Sequence, residues 1–137
     1  MKEQLVWYIK KAVLLDDGMK GRLLTRLHTL DRGCTALCHG DFHPLNIIDD
    51  GNRLWILDWV DATAGDPLAD ICQTYLIFKR NISRLADVYL RSVCRAAKVR
   101  QEDALAWLPV VAATWLTRQS GEDERAFVMG IIESSMM

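Results

Sequence analysis

Two short apolar runs, Asn46-Ile47-Ile48 and Leu54-Trp55-Ile56-Leu57, stand on either side of Asp49-Asp50-Gly51-Asn52. An Asp-Gly step between such runs is a strong hairpin signal, because tight hairpin turns need residues that tolerate positive φ. The rest of the chain must be arranged around this hairpin, since the segments flanking it carry helical spacing. Upstream, Leu5, Ile9, Ala12 and Val13 share one helical face until Asp16-Asp17-Gly18 breaks the pattern. A second helix is expected to turn Leu23, Leu24, Leu27 and Leu30 inward and to end near Asp31-Arg32-Gly33. Thr35 to Cys38 is a short apolar run that fits a buried strand.

Downstream, Asp66-Pro67 matches an N-cap followed by proline at the first helical position. Leu68, Ile71, Cys72, Tyr75 and Leu76 would then face the core. A further helix is expected to carry Ile82, Leu85, Tyr89, Val93 and Ala96 inward, starting at Lys79-Arg80 or Asn81. Another covers Glu102 to Arg118, with Pro109 either kinking it or starting a new segment. Ser120 is a candidate cap for a last helix containing Phe127, Val128, Ile131 and Ile132. The expected fold class is α+β, mainly α with a small β-hairpin, in a single domain spanning 1–137. Its parts are helical over 1–34 and 67–137, with polar loops on short strands over 35–66.

Composition excludes several function classes. With a formal net charge of −1, the chain lacks the basic footprint expected for nucleic-acid binding. No apolar run approaches the roughly 20 residues of a membrane span, and charges interrupt the N-terminal apolar residues as they would not in a secretory signal. The four cysteines, Cys34, Cys38, Cys72 and Cys94, lack paired C-x-x-C spacing. They are expected to be buried reduced thiols of a cytoplasmic protein.

Charge placement says more than its sum. Between Asp41 and Asp70 lie seven aspartates opposed only by Arg53, a block suited to divalent cations. From Lys79 to Arg100 seven basic residues are opposed only by Asp87, the pattern of a solvated helix face.

The polar residues of Cys38 to Trp59 admit three readings. His39, Asp41, His43 and Asp58 form a tolerable zinc or di-metal set for hydrolysis, but alternate residues of an extended segment point to opposite faces. Phosphoryl transfer needs a carboxylate for the acceptor hydroxyl's proton and oxygen ligands for magnesium. Asp41 supplies the first, Asn46 lies five residues on across one loop, and Asp58 ends the next strand. The third reading makes the acids caps of turns and helices, and suits Asp49, Asp50 and Asp66.

H-G-D-F-H-P-L-N, then I-L-D-W, then G-D-P-L-A-D, resembles the aminoglycoside phosphotransferase and choline kinase-like family, a small-molecule branch of the protein-kinase fold. The spacing Asp41-x-x-x-x-Asn46 also matches the kinase catalytic loop. The resemblance implies an ATP-dependent phosphotransferase (or one using another nucleoside triphosphate) acting on the hydroxyl of a small molecule. It implies Asp41 as catalytic base and Asn46 and Asp58 as magnesium ligands. By the same resemblance His39 braces the loop and Asp70 is a buried aspartate bonded to the loop backbone. His43 is expected to pack the loop rather than transfer a proton, and Asp61 is a further candidate without a role.

The family also has an N-terminal nucleotide lobe, and no Gly-rich loop or strand-borne lysine precedes Thr35. The resemblance therefore covers a C-terminal lobe, with the nucleotide lobe expected to be absent. An exposed apolar shelf near Leu57, Ile47 and the first helices would follow, with self-association or pairing with a separate lobe. A non-catalytic or split lobe acting as a binding module is the alternative. The basic helix after Asn81 argues against a polycationic acceptor and for a neutral or anionic hydroxyl compound.

Overall fold

The computed structural model of the chain describes residues 1–118 and 121–137; the expected Ser120 cap lies outside the described residues. Helix α1 (Lys2–Lys11) buries Leu5 and Ile9, with Ala12 buried just beyond its end. Val13, expected on the same face, is 91% exposed. The helix stops at Lys11 and Ala12 is extended, so helical spacing no longer governs where Val13 points.

Helix α2 (Asp17–Leu30) begins on Asp16, whose carboxylate accepts the Met19 N–H at 2.7 Å. That bond satisfies one of the orphan donors of the first turn. Leu23 and Leu27 are buried, and Leu24 and Leu30 pack at the edge of the core.

The β structure is two antiparallel ladders of two strands each. Strand β1 (Ala36–Cys38) pairs with β4 (Thr63–Gly65), and β2 (Ile47–Asp49) pairs with β3 (Leu54–Ile56). The second ladder is the expected hairpin, in register Ile47 to Ile56 and Asp49 to Leu54. Its turn is held by acids: Asp49 accepts the Gly51 N–H, and Asp50 accepts those of Asn52 and Arg53 and the Trp55 indole N–H. Gly51 has φ +85°, which glycine adopts without steric cost.

The first ladder corrects the expectation of a buried strand at Thr35 to Cys38. Of this strand Cys38 alone is buried, while Ala36 and Leu37 are exposed, Leu37 at 72%. Cys34 is also exposed, against the expectation of four buried thiols. Pairing β1 with β4 sets the end of β1 beside the start of the following helix, and this positions the polar loop.

Helix α3 (Pro67–Asn81) opens with Asp66 accepting the Leu68 N–H at 2.9 Å and Pro67 in its first turn. Leu68, Ile71, Cys72, Tyr75 and Leu76 are all buried. Helix α4 (Ser83–Ala97) packs on α3 through Ala86, Leu90 and Cys94. Ile82, Leu85 and Ala96, expected inward, are exposed, while Tyr89 and Val93 flank the buried stripe. The buried residues recur every four positions, at 86, 90 and 94, which leaves Leu85 to one side of the contact.

Glu102 to Arg118 is two helices, α5 (Gln101–Leu105) and α6 (Leu108–Trp115), and Pro109 starts the second one. Proline has no N–H to give, and the first turn is where none is needed. Every residue of α6 from Pro109 to Trp115 is buried, so α6 is the central helix, packed against α1, α2, α3 and α7. Helix α7 (Glu122–Ser134) closes the core with Val128 and Ile132, flanked by Phe127 and Ile131. Among the described residues, no helix is long and apolar enough to cross a membrane.

Candidate functional site

The polar loop leaves β1 at His39 and lies over the first turn of α3. Both oxygens of Asp70 are used: Oδ2 accepts the His39 N–H and Oδ1 the Gly40 N–H, each at 2.8 Å. Gly40 has φ +82°, and a β-carbon there would lie 2.7 Å from the Asp61 carbonyl oxygen. Only glycine both adopts that conformation cheaply and leaves room for the 59–62 segment to close against the loop.

The His39 ring is buried and has both nitrogens engaged. Its Nε2 donates to the Leu57 carbonyl at 2.8 Å and its Nδ1 accepts the Asp41 N–H at 3.2 Å. These two partners suit the tautomer with the proton on Nε2. Trp59 packs on the ring at 4.6 Å between centroids, and Phe42 meets it edge-on at 5.9 Å. His39 thus ties the loop to the end of β3.

Asn46 ends a 3-10 turn (Pro44–Asn46) and is buried. Its Nδ2 donates to the Asp41 carbonyl at 2.9 Å and lies 3.3 Å from His43 Nε2. Its backbone carbonyl accepts the Leu57 N–H at 2.8 Å, which brings the residue beside the end of β3. The amide nitrogen is committed, and no donor among the described residues bonds to Oδ1.

Asp41 is about one-third exposed, and its Oδ2 lies 3.5 Å from His43 Nε2, beyond good hydrogen-bond length. Asp58 follows β3 with φ +57°, a left-handed conformation that aspartate adopts more readily than most residues. Its carboxylate is exposed and has no partner among the described residues. Asp66 serves as the α3 cap, and Asp61 sits in the segment that closes on Gly40.

The zinc-type set is not assembled. Among the described residues, no group of three or more His, Cys, Asp or Glu side chains is arranged to hold a metal. His39 in particular has no free lone pair to offer. An Asn oxygen and an Asp carboxylate, by contrast, are the oxygen donors that magnesium takes. Beneath the loop, burial and the Asp70 and Asp66 charges push the Cys38 thiol up to about 11, so it stays protonated and inert.

Sequence reasoning assigns no role to Gly40, Gln73, Arg118 or the Leu57 carbonyl. The glycine between His39 and Asp41 is the one signal that pointed toward any of them.

The profile of the phosphotransferase enzyme family (APH) matches residues 3–108, a span that includes every residue of this loop and its supports. The chain belongs to that family. This agrees with the aminoglycoside phosphotransferase-like resemblance carried by the three motifs. A Bacillus subtilis (strain 168) protein named "Uncharacterized protein YcbJ" is 37% identical over 60 residues, covering 42% of this chain and 20% of that protein. The chain thus spans a small share of the curated relative it matches. No solved structure matches the chain.

Proposed function

We propose that this member of the phosphotransferase family transfers the γ-phosphoryl group of a nucleoside triphosphate, ATP in the first instance, to a hydroxyl of a small molecule. The observation that carries this reading is what the loop leaves free. Asp70, His39 and the Asn46 amide nitrogen are all committed to holding the backbone, whereas the Asp41 carboxylate and Asn46 Oδ1 are not. A scaffold that spends its polar groups on fixing a loop, and spares one carboxylate and one amide oxygen, suits transfer between positioned reactants.

In this proposal Asp41 accepts the proton of the acceptor hydroxyl as that oxygen bonds to the γ-phosphorus. The bond from phosphorus to the β–γ bridging oxygen breaks, and the nucleoside diphosphate leaves with the electron pair. Asn46 and Asp58 would hold magnesium, which supplies positive charge beside the phosphate oxygens. His39 and Asp70 act only by fixing where Asp41 stands, and His43 packs the loop beside it.

The test is release of nucleoside diphosphate by the intact protein with a panel of small hydroxyl compounds. Asp41→Asn is expected to lower acceptor-dependent release by about a hundredfold or more. Release unaffected by that change sinks the proposal.

A second reading has one observation in its favour. Leu45 and Val60 are 88% and 89% exposed, Leu54 and Ile56 are exposed on one face of the hairpin and Ile48 and Trp55 on the other, and Leu57 and Trp59 are exposed just beyond it. Exposed apolar side chains on this scale would serve as a docking surface. It suits a nucleotide-binding lobe lying over the hairpin, or a second copy of the chain, and the protein would act as a binding module if no nucleotide is held there. Sedimentation of the protein as it stands separates a self-associating chain from a monomer.

A further inference from the structure

A recess of about 100 Å³ opens beside the catalytic loop, walled by α1, α3 and α6 and by the loop carrying Asp61. We infer that this recess receives the acceptor, and that the acceptor is a small hydroxyl compound bearing both a cationic and an anionic group. The inference rests on the phosphotransferase reading for the word acceptor; the ligand class rests on the recess itself.

Placement comes first. Gly40 lines the recess one residue before Asp41, so the recess adjoins the loop that carries the proposed base. The lining includes Gln73 and Thr114, which are 8% and 7% exposed. Trp115 Nε1 approaches Gln73 Oε1 at 3.4 Å. An indole N–H can only donate, which fixes the amide orientation and points Nε2 elsewhere. No acceptor among the described residues bonds to that Nε2. Such a donor is costly to leave buried and unpaired, and a ligand oxygen would relieve it.

The rim carries both signs of charge. Asp61 and Arg118 line the recess and are exposed, and neither forms an ion pair with a described residue. The Asp61 backbone lies close against Gly40, and the Arg118 guanidinium lies 5.3 Å over the Trp115 ring. Opposite charges kept apart at one opening favour a ligand that answers both.

Size narrows the class further. A cavity of about 150 Å³ holds a benzene ring, so this recess admits a compound of a few heavy atoms.

The experiment is an NMR titration of the intact protein, without nucleotide, using L-serine, 2-aminoethanol, glycolate and glycerol. These hydroxyl probes carry both charges, the cation alone, the anion alone and neither. L-Serine is expected to bind tightest and to shift the Gln73 side-chain amide resonances, assigned by their loss in Gln73→Leu. Asp61→Asn is expected to weaken L-serine and 2-aminoethanol by about threefold and leave glycolate alone. Arg118→Gln is expected to weaken L-serine and glycolate by about the same factor and leave 2-aminoethanol alone. Equal binding of all four probes, or an unmoved Gln73 amide, overturns the inference. Binding as described without phosphorylation by Mg-ATP counts against the phosphotransferase reading and not against the site.

Discussion

Asp70 and Gly40, 30 residues apart in sequence, meet through a 2.8 Å hydrogen bond from the Gly40 N–H to the Asp70 carboxylate. The same carboxylate holds the His39 N–H. The backbone leading into Asp41 is therefore shaped by a helix that begins after the whole hairpin has been made.

Asp70→Ala is expected to destabilise the protein by about 2–5 kcal/mol, since two N–H groups lose a charged acceptor. Urea or thermal melts report it. Asp70→Asn should fall between, because its amide keeps one acceptor oxygen and sets a donor against the other N–H. A melting midpoint unchanged by the alanine variant would show that the loop is held by other means.

Asp58 offers a clean separation of metal binding from stability. Its φ of +57° suits glycine at least as well, so Asp58→Gly is expected to leave the melting midpoint nearly unchanged. Magnesium-dependent nucleotide binding, followed by calorimetric titration, is expected to be lost in the same variant. Unchanged affinity would take Asp58 out of the metal site.

The hairpin should loosen in acid. The Trp55 indole N–H, and then the Arg53 and Asn52 N–H groups, hold the Asp50 carboxyl below the usual carboxylate range. A folded value depressed below the unfolded one means the stabilisation is present above the unfolded value and is lost as pH falls through the folded one. The Trp55 indole proton resonance is expected to shift as the pH falls below the ordinary aspartate range of about 4. In Asp50→Asn that acid transition should disappear.

Thiol chemistry should single out Cys34. It is exposed, whereas Cys38, Cys72 and Cys94 are buried. Desolvation raises the thiols of all three buried cysteines. An aromatic disulfide reagent at neutral pH is expected to titrate a single thiol on the folded chain, and Cys34→Ser should abolish that reaction. Fast reaction of further thiols before unfolding would mean that the core opens locally.

Much of the fold was legible because its signals are short-range. The Asp16 and Asp66 caps, Pro67 and the Asp-Gly turn each act within a few residues of themselves, so local chemistry alone announces them. The same holds for Asp41 and Asn46, joined across one loop by the Asn46 amide. The pairing of β1 with β4 had no such signal. Ala36 meets Gly65 across a long stretch of chain, and three-residue strands show too little alternation to advertise a partner.

The face of α4 was also beyond the sequence, since apolar residues lie on more than one side of it. Ile82, Leu85 and Val88 stay exposed while Ala86, Leu90 and Cys94 meet α3, a choice made by the neighbouring helix. Gln73 and Arg118 belong to the same class. Neither is remarkable as a residue, and they share a recess with Gly40 and Asp61 only because α3, α6 and the 59–62 segment converge there. The sequence by itself determined which residues carry oxygen donors and where the helices start, because those depend on local chemistry. Tertiary structure decided which donors are used up on the backbone and which remain free, because hydrogen bonding across distant segments is settled only when the core brings them together.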